Sequence, residues 1–303
     1  MNLISVSQLS RSEIEEIFEL ATNFFDEETR AFKQDPILSD KRVLNLFFEP
    51  STRTKLSFEV AARNLGMNIF NLDELSSSMQ KGETLEDTIE VALSMGIDAC
   101  IIRHKESVIH DLVAQFPSMV FINAGEGAVS HPSQTLLDLY TVKQNFDDLS
   151  GLSYLIVGDL DHSRVLASLL EGLSIVGAKE ITLCSPQELA QKYCEHKSIS
   201  YQEDLISSLD GVDVIMALRI QHERLDQVLS ISAEAYTSRY QLSHQKLVNG
   251  VGHENFILIH PGPVNYGIEL HPDVRDRPYC KIREQVANGV GIRMAILTKT
   301  LLS

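Results

Sequence analysis

The sequence predicts an α/β protein of two α/β domains, each with a mainly parallel sheet covered by helices. Three observations carry this reading. Short, unbroken apolar runs alternate with segments of helical spacing, as expected of parallel strands buried on both faces and joined by crossover helices. The alternation stops at the polar stretch "DDLSG", residues 147–151, and then begins again. Finally, 303 residues at 44% hydrophobic and 22% charged composition are enough for two cores.

In chain order, "SRSE" (Ser10 to Glu13) has the spacing of a capping box, and Ile14, Ile17, Phe18 and Ala21 share one helical face behind it. "RVLNLFF", "MNIFNL", "DACIIR" and "SMVFIN" follow as strands. Between them Leu56, Val60 and Leu65, then Leu85, Ile89 and Leu93, repeat at helical spacing. The helical segment "SQTLLDLYTVKQNF" closes this half. After "DDLSG" the strands are "LSYLIVGD", "KEITLC", "VDVIMALR" and "NFILIHP", and an apolar helix over 286–302 ends the chain. No low-complexity segment or short-period repeat interrupts the pattern.

The formal charge is −16, which argues against nucleic acid or an anionic membrane as partner. No apolar run approaches the length of a membrane span. The N-terminus lacks a basic region, an unbroken apolar segment and a small-residue cleavage site, so a cytoplasmic protein is expected. Cys100, Cys184, Cys194 and Cys280 form no CxxC pair and read as core thiols of a reducing compartment.

In open α/β sheets ligands bind where strands end and helices begin. Those segments here are "EPSTRT", "RHKE", "NAGEGAVSHPSQ", "GDLDHSR", "LRIQHER" and "HPGPVNYG", and every one carries Arg or His. At "STRT" a helix start near Ser51 would converge its free amides, two hydroxyl donors and the Arg53 guanidinium on one anion, a phosphate site. The plainer alternative is an N-cap by Ser51 or Thr52 with Arg53 solvated. No Walker signature is present, so a nucleoside triphosphate is not implied. His131, before a proline at a helix start, suits a hydrogen bond to a carbonyl oxygen, with Gln134 holding an amide; turn chemistry is the alternative. The histidines lack i, i+4 spacing and the cysteines are scattered, so no metal site is expected. "GDLDHSR" offers only Gly158 where a dinucleotide fingerprint needs three glycines. Arg164, in the first turn of a helix, and Arg219 with Gln221 at another strand end suit a dicarboxylate, although either arginine alone could form a surface salt bridge. "SSSMQKGETLED" reads as a polar loop with Lys81 solvated.

These motifs, in this order, resemble the carbamoyltransferase family and, within it, the aspartate-specific catalytic chains. "FFEPSTRTKLSFE", "SSMQKGETLEDT", "IIRHKE", "NAGEGAVSHPSQTLLDL", "VGDLDHSR", "LRIQHERLD" and "HPGPVNYGIEL" carry the resemblance over residues 47–270. Ornithine-specific relatives have an "HCLP" motif with a functional cysteine where Pro261 stands here. The "SMG" at Ser94 to Gly96 lies in the first half and is coincidental.

The resemblance implies carbamoyl transfer from carbamoyl phosphate to L-aspartate, an early step of pyrimidine biosynthesis, without cofactor or metal. The active site would lie in the cleft between the domains. Residues 1–147, joined by the C-terminal helix 286–303, would bind carbamoyl phosphate, and residues 148–285 would bind aspartate. Ser51, Thr52, Arg53, Thr54 and Arg103 would form the phosphate shell. Thr54, Arg103 and His131 would polarise the carbonyl, while Gln134 and the backbone around Pro261, Gly262 and Pro263 hold the carbamoyl amide. Arg164 would take the α-carboxylate, and Arg219 with Gln221 the β-carboxylate. Ser77 and Lys81 would enter a neighbouring subunit's site, which makes the protein a homotrimer and replaces the solvated reading of Lys81. A regulatory chain is a partner that the resemblance leaves open. Gly262 departs from relatives that carry leucine or alanine there. Two alternatives stand: a carbamoyltransferase acting on ornithine or a derivatised ornithine, and a non-enzymatic anion-binding protein.

Overall fold

Each of the eight apolar runs becomes a parallel strand in one of two sheets. The computed structural model describes residues 1–73, 82–127, 129–194, 199–220 and 232–302. The chain divides into two units, Met1–Tyr140 with Ala167–Gly172 and Val286–Ser303, and Thr141–Leu166 with Leu173–Gln285.

The first unit opens with α1 (Arg11–Asn23), whose capping box forms as the sequence predicts: the Glu13 amide donates to Ser10 Oγ and the Ser10 amide to Glu13 Oε2. A two-stranded antiparallel pair follows, β1 (Phe25–Asp26) and β2 (Ala31–Phe32). Next come β3 (Arg42–Phe47), α2 (Thr52–Asn64), β4 (Asn68–Asp73), α3 (Leu85–Ser94), β5 (Ala99–His104), α4 (Ile109–Gln115), β6 (Val120–Glu126) and α5 (Pro132–Lys143). The sheet order is β4-β3-β5-β6. Leu44, Leu46, Cys100, Ile102 and Phe121 bury one face against Ile89 of α3 and Leu112 of α4. Val43, Phe47, Ile101 and Ile122 alternate onto the other face and are buried as well. Beyond the sheet, α5 meets α1 through Tyr140 and Phe18.

The second unit contains β7 (Ser153–Val157), the two ends of α6 (Arg164–Val176), whose middle residues 167–172 belong to the first unit, β8 (Glu180–Cys184), β9 (Ser200–Gln202), α7 (Leu205–Ser208), β10 (Val214–Ala217), α8 (Ala233–Tyr240), α9 (His244–Val251) and β11 (Ile257–Ile259). Its order is β11-β10-β7-β8-β9. Leu155, Val157, Ile215, Ala217 and Leu258 pack under Leu205, Tyr236, Tyr240, Leu247 and Val251. The chain ends in α10 (Ile282–Leu302), four residues longer at its start than the apolar pattern shows.

Three elements differ from the sequence reading. In α2 the buried face is Thr54, Phe58, Ala61 and Ala62, while Leu56 and Val60 are 56% and 37% exposed. The helix is therefore present and Leu65 at its end is buried as expected, but Leu56 and Val60 do not belong to the buried stripe. The β1–β2 pair and β9 were not predicted, because two- and three-residue strands with little burial lack an apolar run.

Both sheets place a topological switch where the motifs cluster. In the first, β3 lies between β4 and β5, so crossovers leave it in opposite directions; in the second, β7 lies between β8 and β10. Ligand crevices form at the carboxyl ends of such strand pairs.

Candidate active site

The first switch point assembles "STRT", Arg103 and the start of α5. Ser51 is the N-cap residue of α2, yet its side chain caps no amide. By contrast, Ser10, Thr84, Ser163, Ser232 and Ser243 each accept a backbone N–H at their own helix starts. The plain N-cap alternative for Ser51 is thus not what the structure adopts. Thr52 and Arg53 are exposed and Thr54 is buried. The first turn of α2 has no acidic residue, so its positive end is uncompensated from within the helix.

Arg103 lies at the carboxyl end of β5, in register with Phe47 of β3. Its Nη1 donates to Ala124 O at 3.1 Å, and its Nε stands 3.5 Å from Glu49 Oε2. The guanidinium is mostly buried, so this carboxylate and carbonyl fix its direction. His131 directly precedes Pro132, the first residue of α5, where proline's missing N–H costs the helix nothing. The His131 amide donates to Ser168 Oγ at 2.8 Å, anchoring the turn. Its buried imidazole brings Nε2 to 3.5 Å from Thr54 Oγ1. Gln134, in the first turn of α5, donates its side-chain amide to Asp138 Oδ1 at 2.8 Å.

In the second unit the switch point depends on one glycine. Gly158 follows β7 with φ +134°, and a Cβ there would meet Leu218 O at 2.4 Å. Only a glycine lets the carboxyl ends of β7 and β10 approach this closely. Arg164 is the first residue of α6, capped by Ser163, and the turn before it is held by buried Asp159, whose Oδ1 lies 2.8 Å from His162 Nδ1. Arg219 follows β10 and is exposed. The "HPGP" turn follows β11, the neighbour of β10. There the Gly262 amide donates to His260 Nδ1 at 2.8 Å, which leaves the proton of a neutral imidazole on Nε2, 3.3 Å from Glu269 Oε1. Asn265 donates its amide N–H to Glu269 Oε1 and its side-chain amide to Ile220 O, tying the turn to the strand end that carries Arg219. Gly262 has φ +73°, a conformation that leucine or alanine adopts with strain. Pro261 is half-buried and Pro263 exposed.

Each unit therefore gathers its predicted residues at its own switch point. Ser77, Lys81 and Gln221 lie outside the described residues. Glu49 and Asp138 were missed by sequence reasoning. Asp138, one helical turn after Gln134, could have been found from i, i+4 spacing; Glu49 meets Arg103 only through β3–β5 pairing. Among the described residues no group of three or more His, Cys, Asp or Glu is placed to hold a metal ion, and no helix is long and apolar enough to cross a membrane.

Comparison with known proteins matches residues 1–144 to the aspartate/ornithine carbamoyltransferase carbamoyl-phosphate-binding domain, and residues 150–300 to the Asp/Orn-binding domain of the same family. The chain is 41% identical over 300 residues to the aspartate carbamoyltransferase catalytic subunit of Roseiflexus sp. (strain RS-1), covering 98% of this chain and 93% of that protein. It is 40% identical to that of Carboxydothermus hydrogenoformans, covering 98% and 94%. Among solved structures it is similar to the catalytic subunit of M. jannaschii aspartate transcarbamoylase, with TM-score 0.84, 34% identity and coverage of 99% and 98%. It is also similar to the Trypanosoma cruzi aspartate transcarbamoylase in complex with carbamoyl phosphate and aspartate, with TM-score 0.85, 27% identity and coverage of 99% and 96%. By its fold and its sequence, this chain belongs to the aspartate/ornithine carbamoyltransferase family.

Proposed function

We infer that the protein is an enzyme that transfers the carbamoyl group of carbamoyl phosphate to the amino group of L-aspartate, giving N-carbamoyl-L-aspartate and phosphate. The observation that carries this reading is the uncapped start of α2, with Ser51 unspent and Thr54 beside His131, next to the oriented Arg103. Such a site offers a phosphate the amides, hydroxyls and guanidinium groups it needs, and offers the adjoining carbonyl oxygen two further donors.

Catalysis follows from positioning and electrostatics. The neutral amine of aspartate attacks the carbonyl carbon, and negative charge builds on the carbonyl oxygen. Thr54, Arg103 and His131 stabilise that charge, a contribution of about 2.7–4 kcal/mol for one such donor. The C–O bond to phosphate then breaks, and the amine proton passes to a phosphate oxygen, so no protein general base is assigned. Arg53 with Ser51 and Thr52 completes the phosphate shell, Ser77 adds to it, Lys81 neutralises phosphate charge and binds the aspartate carboxylate, and Gln134 with the Pro261, Gly262 and Pro263 backbone holds the carbamoyl amide. Arg164 takes the α-carboxylate of aspartate, and Arg219 with Gln221 the β-carboxylate. A guanidinium at this strand end and a proline at 261 suit aspartate rather than ornithine, whose side chain is cationic.

The assembly we assign is a homotrimer in which Ser77 and Lys81 serve a neighbouring subunit. Leu56 and Val60 on the exposed side of α2, and Phe70 on edge strand β4, leave apolar surface that supports self-association. The relatives' designation as catalytic subunits supports a further, regulatory chain. All four cysteines are free, in keeping with a cytoplasmic protein. The test is phosphate release from carbamoyl phosphate with L-aspartate, L-ornithine and N-acetyl-L-ornithine offered in turn. Aspartate-dependent release supports the reading, whereas release with an ornithine, or with none of the three, overturns it.

A further inference from the structure

We propose that Asp138 is a positioning residue that fixes which end of the Gln134 carboxamide faces the ligand. It thereby makes the carbamoyl half-site select a ligand that donates N–H over one of the same shape that cannot. The proposal rests on the reading above that Gln134 faces the carbamoyl amide.

The two ends of a glutamine amide are nearly equal in size and opposite in chemistry: the oxygen only accepts, and the NH2 only donates. An ionised aspartate only accepts. Because Gln134 Nε2 donates to Asp138 Oδ1 at 2.8 Å, the amide is pinned with its nitrogen toward Asp138 and its oxygen turned away. The pair is buried on one face of α5, where i, i+4 residues stand one above the other. A carbamoyl group presents an NH2, which that oxygen can accept from. An acetyl group presents a methyl, which leaves the oxygen without a donor.

Asp138 must remain a carboxylate for this to hold, and α10 supplies the reason. Arg293 is buried there, its guanidinium carbon 5.0 Å from the centre of the Phe58 ring and its Nη1 donating to Gly289 O at 3.0 Å. A Cβ on Gly289 would meet that Nη1 at 2.6 Å, so the glycine makes room for the group. Burial pulls the guanidinium down to about 10 while the Asp138 charge opposes the shift, so Arg293 is cationic at neutral pH and its charge favours a carboxylate at Asp138. The order of action runs from Arg293 on α10, through Asp138, to Gln134 and the ligand. A site whose buried acceptor requires a donor rejects an analogue lacking it far more strongly than size alone would.

The experiment is binding competition on the intact oligomer with carbamoyl phosphate, acetyl phosphate and inorganic phosphate, alongside a thermal melt. In Asp138→Asn the residue at 138 can itself donate, so Gln134 is free to turn its NH2 to the ligand. Expected is a fall of about 10- to 100-fold in carbamoyl phosphate affinity, with inorganic phosphate unchanged and the carbamoyl-to-acetyl ratio collapsed. In a Gln134→Ala background, Asp138→Asn should change that ratio further by no more than about 2-fold. Because Asp138→Asn alone leaves the Arg293 charge buried without its carboxylate, Asp138→Asn/Arg293→Met, which removes both charges, is measured in parallel. A folded variant of either kind with wild-type selectivity overturns the proposal. So does equal weakening of all three ligands, or a full further loss in the Gln134→Ala background. If Gln134→Ala alone leaves the ratio intact, the underlying reading of Gln134 fails instead. Since the readout is binding, absence of carbamoyl transfer to aspartate would sink the proposed function and leave this test standing.

Discussion

Thr54 Oγ1 and His131 Nε2 lie 3.5 Å apart, one from the first turn of α2 and the other from the residue before α5. That distance is at the outer limit of a hydrogen bond, so the two groups flank a common point more than they satisfy each other. A carbonyl oxygen at that point would meet both. His131→Asn, which keeps a donor, is expected to retain more turnover than His131→Ala, which should lose about 10²–10³ in kcat, the cost of one oxyanion donor. Steady-state rates on both folded variants decide; equal rates would count against the donor role.

Glu49, just past the end of β3, orients Arg103, whose guanidinium the proposed function assigns to the phosphate and carbonyl. Arg103→Ala is expected to cost at least about 10- to 100-fold in kcat/KM, given the strength of charge-assisted hydrogen bonds, with the fold intact. Glu49→Gln keeps the shape and loses the charge, and should cost less than Arg103→Ala. Kinetics beside a thermal melt check this; near-normal turnover in folded Arg103→Ala would remove Arg103 from the site.

Arg164 and Arg219 stand at the ends of adjacent strand connections in the second unit. Arg164→Ala and Arg219→Ala should each raise the KM for aspartate by about 10-fold or more, while carbamoyl phosphate binding stays at the wild-type level. Direct binding of each ligand separates the two effects. Loss of carbamoyl phosphate affinity in either variant, with aspartate unaffected, would reverse the assignment.

The sheets and the arginine-bearing loops were legible because they are local. Eight apolar runs announce parallel strands, and "STRT" sets four consecutive hydroxyl-bearing or cationic residues at the start of α2. The rest depends on contacts that a linear pattern does not contain. Leu56 and Val60 repeat at helical spacing, yet Thr54, Phe58, Ala61 and Ala62 form the buried stripe, because α10 covers that side through Arg293 and Phe58. Glu49 reads as one more residue of a strand-end motif until β3–β5 pairing sets it beside Arg103. Gly158 looks like a failed dinucleotide fingerprint; its real constraint is the Leu218 carbonyl that a Cβ would strike. Asp138 lay in plain view at helical spacing from Gln134, but nothing in the sequence shows that its charge acts on Arg293, far along the chain.

Lys81 separates the single-chain reading from the shared-site reading. Lys81→Ala and Arg53→Ala chains should each be inactive alone. When dissociated, mixed and reassembled, they should regain part of the wild-type turnover, because some sites then receive Arg53 from one chain and Lys81 from its neighbour. Verified mixed oligomers with no recovered activity would leave a site built within one chain.

Carbamoyl transfer to aspartate is tested most directly by following the atom that moves. Carbamoyl phosphate labelled with carbon-13 at the carbonyl is mixed with the enzyme and L-aspartate, and followed by carbon and phosphorus NMR. The expected result is label appearing in N-carbamoyl-L-aspartate in step with equimolar orthophosphate, dependent on aspartate and absent when L-ornithine replaces it. Label reaching an ornithine product, or leaving carbamoyl phosphate no faster than without enzyme, would contradict it.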